Sequence, residues 1–353
     1  MPEPVKSSVR SPPYTKPGHG TRAVLLLATG LLLGAGIAIV GLELSSPSGP
    51  PAVALIRRAE PAPVGSPPPS PDAVPSAVAA LPGTAAGRLA AAPDPRLVER
   101  SRFGPLPRIG SDGALPAHVY ARPAPAIAAQ PRIAILVTGL GIGEAVTLEA
   151  LTRLPPDVTF AFAPYAADLD RLVGWARESG HEVMLQLPLE PFDYPDSDPG
   201  PHTITVAGSA AENLERLHWV LGRFAGYTGL VTLMGAKITA DEAALTPVLT
   251  EIAARGLTFV DDGRSGRSIV RNGRMGAAPT RRADVVVDAV PRPDAIEAEL
   301  ARLEKLAGEQ GTVLGTASAT PGSIEAIARW SRGLGQRGIT LVPVSAIQTA
   351  GVP

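Results

Sequence analysis

Arg132-Ile133-Ala134-Ile135-Leu136-Val137-Thr138-Gly139-Leu140-Gly141 decides the fold. Ile133–Val137 is a short, unbroken apolar run and reads as a strand. The run breaks off in glycines, and Glu144–Arg153 behind it reads as a helix. Working outward, the same alternation continues to the end of the chain. Val158–Phe162, Glu182–Gln186, Gly229–Leu233, Leu257–Val260, Val285–Asp288, Thr312–Gly315 and Thr340–Val342 read as strands. Asp168–Ser179, Ala210–Phe224, Asp241–Arg255, Asp294–Glu309 and Pro321–Gln336 read as helices. Asp241 and Asp294 suit helix starts, where the dipole favours a negative group. Gly180, Gly256, Gly311 and Gly338 each fall between a helix and the next strand, where a left-handed C-cap favours glycine. The fold class is α/β: a mostly parallel sheet or barrel with outer helices over residues 131–350.

Before this domain the chain changes character. Ala23–Leu42 is an uncharged apolar run of about 20 residues, preceded by Lys6, Arg10, Lys16 and Arg22. That length crosses roughly 30 Å of hydrocarbon. The positive-inside rule puts the tail 1–22 in the cytoplasm and everything beyond Leu42 outside. The expected arrangement is a single-pass anchor in the cytoplasmic membrane; a signal peptide cleaved near Ser45–Ser48 is the rival. Residues 43–130 are dominated by Pro, Ala, Ser and Gly and are expected to form a disordered, semi-extended linker. Within it, Pro95–Arg102 is a candidate short helix.

Charge divides the chain in the same way. Residues 1–130 carry 12 Lys and Arg against 7 Asp and Glu, a net of +5, whereas residues 131–353 carry 20 against 26, a net of −6. An acidic folded half argues against a nucleic-acid partner. The absence of cysteine excludes disulfides, thiolate zinc sites and cysteine nucleophiles.

In a parallel β/α architecture the site lies at the C-terminal strand ends. Those ends are Thr138-Gly139-Leu140-Gly141, Gln186-Leu187-Pro188-Leu189-Glu190-Pro191, Leu233-Met234-Gly235-Ala236-Lys237, Asp261-Asp262-Gly263 and Gly315-Thr316-Ala317. With Gly180-His181-Glu182-Val183 and Leu341-Val342-Pro343-Val344-Ser345, the series resembles the divergent polysaccharide deacetylase family over about residues 131–348. This family is a branch of the NodB-like carbohydrate esterases. The resemblance implies a NodB-like distorted (β/α) barrel and hydrolysis of acetylated glycans at a metal held by aspartate and histidine. It also shows what has changed. The family's paired Asp is Thr138-Gly139 here, its His before Leu-Pro is Gln186, its Asn-His pair is Thr232-Leu233, and its late His is Thr316. Such side chains are poor or impossible zinc ligands, so no metal and no cofactor are expected.

Glu190 and Asp261, on positions matching family motifs, are the candidate catalytic residues for metal-free acid–base work. The bland alternative is that they order loops, and alanine at either is expected to leave the domain folded. Thr138, Gln186, Lys237, Asp262 and Thr316 are the candidate substrate-binding residues. His181 and His202 are expected as surface or loop histidines. Arg264, Arg267, Arg271 and Arg274 recur at helical spacing and could share one helix face, although nearby glycines favour a solvated basic loop. The expected function is a glycan-binding or regulatory pseudoenzyme on the periplasmic side. The alternatives are an active deacetylase of envelope polysaccharide and a non-enzymatic partner in an envelope complex.

Overall fold

The computed structural model describes residues 89–124 and 130–348, all within one compact unit, Ala77–Pro353. The expected cytoplasmic tail 1–22, the transmembrane run 23–42 and the first part of the linker, 43–88, lie outside the described residues. Among the described residues no helix is long and apolar enough to cross a membrane.

Residues 89–124 correct the expectation of a disordered linker reaching residue 130. A 3-10 turn at Pro95–Leu97 leads into a hairpin of β1 (Val98–Ser101) and β2 (Gly104–Pro107), and a short helix α1 (Pro116–Val119) follows. Pro95–Arg102 is therefore a turn and a strand, not a helix. The segment is held because its few large apolar side chains find burial: Leu97, Leu106 and Tyr120 are all inside. Each such burial stabilises by about 1.5–3 kcal/mol. Arg177 clasps the segment from the domain. Its guanidinium donates to the carbonyls of Ala90 and Gly226, each at 2.6 Å, and stacks over the Tyr120 ring.

The strand–helix units then follow in chain order: β3 (Arg132–Leu140), α2 (Glu144–Arg153), β4 (Thr159–Phe162), α3 (Leu169–Glu178), β5 (Val183–Leu189), α4 (Ala210–Leu221), β6 (Gly229–Met234), α5 (Glu242–Ala254) and β7 (Thr258–Asp261). Next come β8 (Gly273–Met275), β9 (Ala278–Arg282), β10 (Val285–Val286), α6 (Pro293–Gln310), β11 (Thr312–Ser318), α7 (Pro321–Ser331), β12 (Thr340–Val342) and α8 (Ser345–Gln348). Local signals set the helix starts. Ser209 and Glu212 form a reciprocal capping box on α4, and Asp241 accepts from Ala244 N at 3.0 Å. Gly180 and Gly256 take φ of +91° and +68° after their helices, which a side chain would resist.

The sheet runs β10-β11-β3-β4-β5-β6-β7-β9-β8, with β12 also on β3, and every pairing but β8–β9 is parallel. Its two ends are joined by one stretch of chain. β9 pairs with β7 and β10 with β11, and only Ala283-Asp284 separates them. Ala283 N donates to Asp261 O and Asp284 N to Leu314 O. The sheet therefore curls round on itself as a distorted barrel. The β8–β9 hairpin carries no strong period-2 pattern and was not expected. The arginines at 264–274 sit on a loop and on β8, not on a helix face.

Side chains alternate across each strand. One set, including Ile135, Phe160, Leu185 and Phe259, packs outward against the helices. The other set, Ala134, Leu136, Ala161, Met184, Val231, Val260 and Leu314, fills the barrel, and Val342, Val344 and Ile347 plug its base. Glu182 fastens that plug. Its buried carboxylate accepts from Ser345 N, the Ser345 hydroxyl, Thr159 Oγ1 and Arg122 N, and burial raises its pKa.

Candidate functional site

Two residues beyond the inner core residues Leu136, Met184, Val231, Val260 and Leu314 come Thr138, Gln186, Leu233, Asp262 and Thr316. Period-2 alternation keeps them on the same inner side. They form a ring above the core, at the C-terminal ends of the strands. The structure thus brings together four of the five expected binding residues.

Each of the polar members is tied. Gln186 Oε1 accepts from the backbone N–H of Gly139 at 2.7 Å. Thr316 Oγ1 donates to Asp262 O at 2.6 Å, and Thr138 Oγ1 to Ala317 O at 3.3 Å. The backbone N–H of Asp262 donates to Thr232 Oγ1 at 3.0 Å. Burial, with Asp261 beside it in sequence, lifts the Asp262 carboxyl to about 6.

A charged cluster that no sequence motif announced meets this ring at Asp262. Arg264 Nη2 donates to Asp288 Oδ1 at 2.7 Å and to Ser318 Oγ at 2.9 Å, and its Nε lies 3.6 Å from Asp262 Oδ2. Asp288 Oδ2 accepts from Ser318 N at 2.7 Å and from Ser323 Oγ at 3.3 Å. The residues come from four separated stretches of chain, so no local spacing could have announced them.

The expected catalytic pair does not assemble. Asp261 follows Phe259 on the outward face, one residue out of phase with the inward Asp262. Its Oδ1 accepts from Gly263 N at 2.7 Å, and its Oδ2 is buried without a partner among the described residues. Glu190 is locked: Oε2 accepts from Val206 N at 2.6 Å and Oε1 from Lys237 Nζ at 2.5 Å. Lys237 is accordingly an internal ion-pair partner and not a free cation for an anionic ligand. The loop-ordering role is the one the geometry shows for Glu190.

His181 differs from expectation, whereas His202 sits in a turn, as a loop histidine. His181 is 1% exposed. It stacks on Phe160 at 3.8 Å, and Nδ1 lies 2.9 Å from Val158 O. Burial depresses its pKa to about 4, so the ring is neutral and Nδ1–H is the donor. The Gly180-His181-Glu182-Val183 motif therefore builds the barrel base and is far from the strand ends that carry the ring. His202 stacks on Trp219 at 3.6 Å, and burial together with Arg216 and Arg223 lowers its pKa.

Among the described residues no three His, Asp or Glu side chains gather as a metal ligand set. The ring offers hydroxyls, a carboxamide and a carboxylate beside Arg264. These donors do not fit a zinc ion.

Residues 135–348 match the divergent polysaccharide deacetylase family. The chain belongs to that family. An uncharacterized protein from Agrobacterium tumefaciens C58 is 41% identical, with a TM-score of 0.66, over 69% of this chain and 99% of its own. The catalytic domain of a peptidoglycan N-acetylglucosamine deacetylase from Eubacterium rectale ATCC 33656 is 14% identical, with a TM-score of 0.41, over 64% of this chain and 92% of its own. A mutant of a CE4 family pseudoenzyme with restored enzymatic activity is 9% identical, with a TM-score of 0.42, over 62% of this chain and 68% of its own. No curated protein matches the sequence. Within the divergent polysaccharide deacetylase family, this member keeps the curled parallel sheet and carries the Gly139–Gln186 bond and the Arg264 cluster at its strand ends.

Proposed function

We propose that this chain is a non-catalytic divergent polysaccharide deacetylase that binds envelope polysaccharide at the strand-end ring. In this reading Ala23–Leu42 anchors it in the cytoplasmic membrane and the domain works on the periplasmic side, in carbohydrate and cell-envelope metabolism. One observation supports the loss of catalysis: Gln186 is bonded to Gly139 N, Thr316 to Asp262 O and Thr138 to Ala317 O, and Arg264 stands beside Asp262. A guanidinium repels a divalent cation and cannot be deprotonated to make room for it. The binding role is supported by the Gln186 amide N–H₂, which makes no hydrogen bond among the described residues and is left to meet a hydroxyl or acetamido group.

The test is titration of the full chain with N-acetylated chitooligosaccharides and peptidoglycan fragments, with acetate release followed in parallel. Saturable binding without acetate is expected. Acetate release abolished by a chelator would overturn the reading. Because the chain has no cysteine, topology can be read separately. Single cysteines at Ser8 and Ser48 would be probed with a membrane-impermeant maleimide, and only the second is expected to label in intact spheroplasts.

A further inference from the structure

Seven large apolar side chains are exposed among the described residues, and five of them, Ile142, Phe192, Tyr194, Met234 and Val290, lie at or just beyond C-terminal strand ends. The strands concerned, β3, β5, β6 and β10, all run parallel, so these side chains rim one end of the barrel. Exposed hydrophobics scattered singly need no explanation; a rim of them does. Ile142 is 72% exposed and Phe192 50%.

Met234 sharpens the point. It has φ of +60°, left-handed backbone that a long side chain adopts at a cost, and it is 46% exposed. The fold therefore tolerates strain in order to hold an apolar thioether in water. Neither feature helps the isolated domain.

Charge beside the rim is divided: the loop that bears Phe192 and Tyr194 also exposes Asp193, Asp196 and Asp198, whereas the segment that follows β7 is basic. Residues 263–283 hold six arginines and no Asp or Glu, in a folded half that is otherwise acidic. Arg267 lays its guanidinium 5.1 Å over the Phe192 ring, joining the basic segment to the apolar rim. Arg267, Arg271 and Arg274 are exposed and make no ion pair among the described residues. Aromatic rings, methionine and arginine together are the side chains that protein interfaces enrich. A hydrated sugar would favour hydrogen-bonding groups over Ile142, Met234 and Val290.

We propose that this rim docks a partner protein through a segment bearing apolar side chains flanked by aspartate or glutamate. The apolar groups cover Met234 and Phe192, and the carboxylates meet Arg267 and its neighbours. The proposal concerns the rim, not the ring beneath it, so Gln186→Ala, which removes the proposed glycan contact, leaves it intact.

The test uses the full chain in neutral detergent and three fluorescent peptides: a Leu-Phe core flanked by Glu, the same core flanked by Lys, and a Ser-Ser core flanked by Glu. The first is expected to bind at least about tenfold more tightly than either other peptide, the scale of one interface hot spot. Arg267→Glu should remove that preference. Met234→Gly relieves the backbone strain and so keeps the fold, yet should weaken the first peptide about tenfold. Equal binding of the three peptides, or no effect of Met234→Gly, would overturn the proposal. Displacement of the peptide by phosphatidylglycerol bicelles would reassign the surface to lipid, and displacement by peptidoglycan fragments would reassign it to glycan; either sinks it.

Discussion

Gln186 Oε1 accepts a 2.7 Å hydrogen bond from the backbone N–H of Gly139, although β4 lies between their strands in the sheet. The bond spans the mouth of the barrel over a short neighbour. It uses the carbonyl half of the carboxamide, and the N–H₂ half, the proposed glycan contact, makes no hydrogen bond among the described residues. Gln186→Ala should lose both. A net hydrogen bond is worth about 1 kcal/mol, so the melting temperature should fall by only a few degrees while glycan titration loses saturation. Unchanged glycan binding would remove Gln186 from the ligand site.

Glu190→Ala is expected to cost about 2–3 kcal/mol in urea unfolding, because it strips the partners of Val206 N and Lys237 together. Glu190→Gln keeps the acceptor for Val206 N and should cost less than half as much. A loss below about 1 kcal/mol for the alanine variant would free Glu190 for acid–base work again.

Asp262 gives a pH signature. Its folded pKa of about 6 lies above the ordinary 3.8 because burial disfavours the charge. Between those values the native state binds more protons than the unfolded one, so this group makes stability fall as pH rises from about 4 to about 6. The full effect is on the order of 3 kcal/mol. Asp262→Asn keeps the acceptor for Arg264 N and removes the titration. Its melting temperature relative to wild type should climb across that window and level off above it. A difference flat with pH would show that Asp262 is already ionised in the native state at pH 4.

His181 acts with the opposite sign. Its folded pKa of about 4 lies below the ordinary 6.5, again through burial. The unfolded chain binds the proton first, so this contribution is present above about pH 6.5 and is lost as pH falls towards 4. His181→Gln should lower stability at pH 7.5, since the stack on Phe160 is lost, yet flatten the decline between pH 6.5 and 4. Thermal melts across that range read both effects.

The sequence by itself determined the alternating α/β architecture, the helix start at Asp241, the glycine C-caps and the membership of the divergent polysaccharide deacetylase family. These rest on local periodicity and on residue chemistry at single positions, which a linear reading sees. It also placed Thr138, Gln186, Asp262 and Thr316 correctly at strand ends. Only the tertiary structure decided which side of each strand end matters. Asp261 and Asp262 are adjacent in the chain, and one faces the helices while the other faces the barrel. Only folding revealed that Lys237 belongs to Glu190, that Arg264 reaches Asp288, and that His181 is sealed beneath the barrel. The Pro- and Ala-rich segment before Gln130 departs from its composition for the same reason. Its composition is that of a linker, but Leu97, Leu106 and Tyr120 find burial and Arg177 holds its backbone. Pairing and burial depend on what lies across space, and spacing along the chain does not encode that.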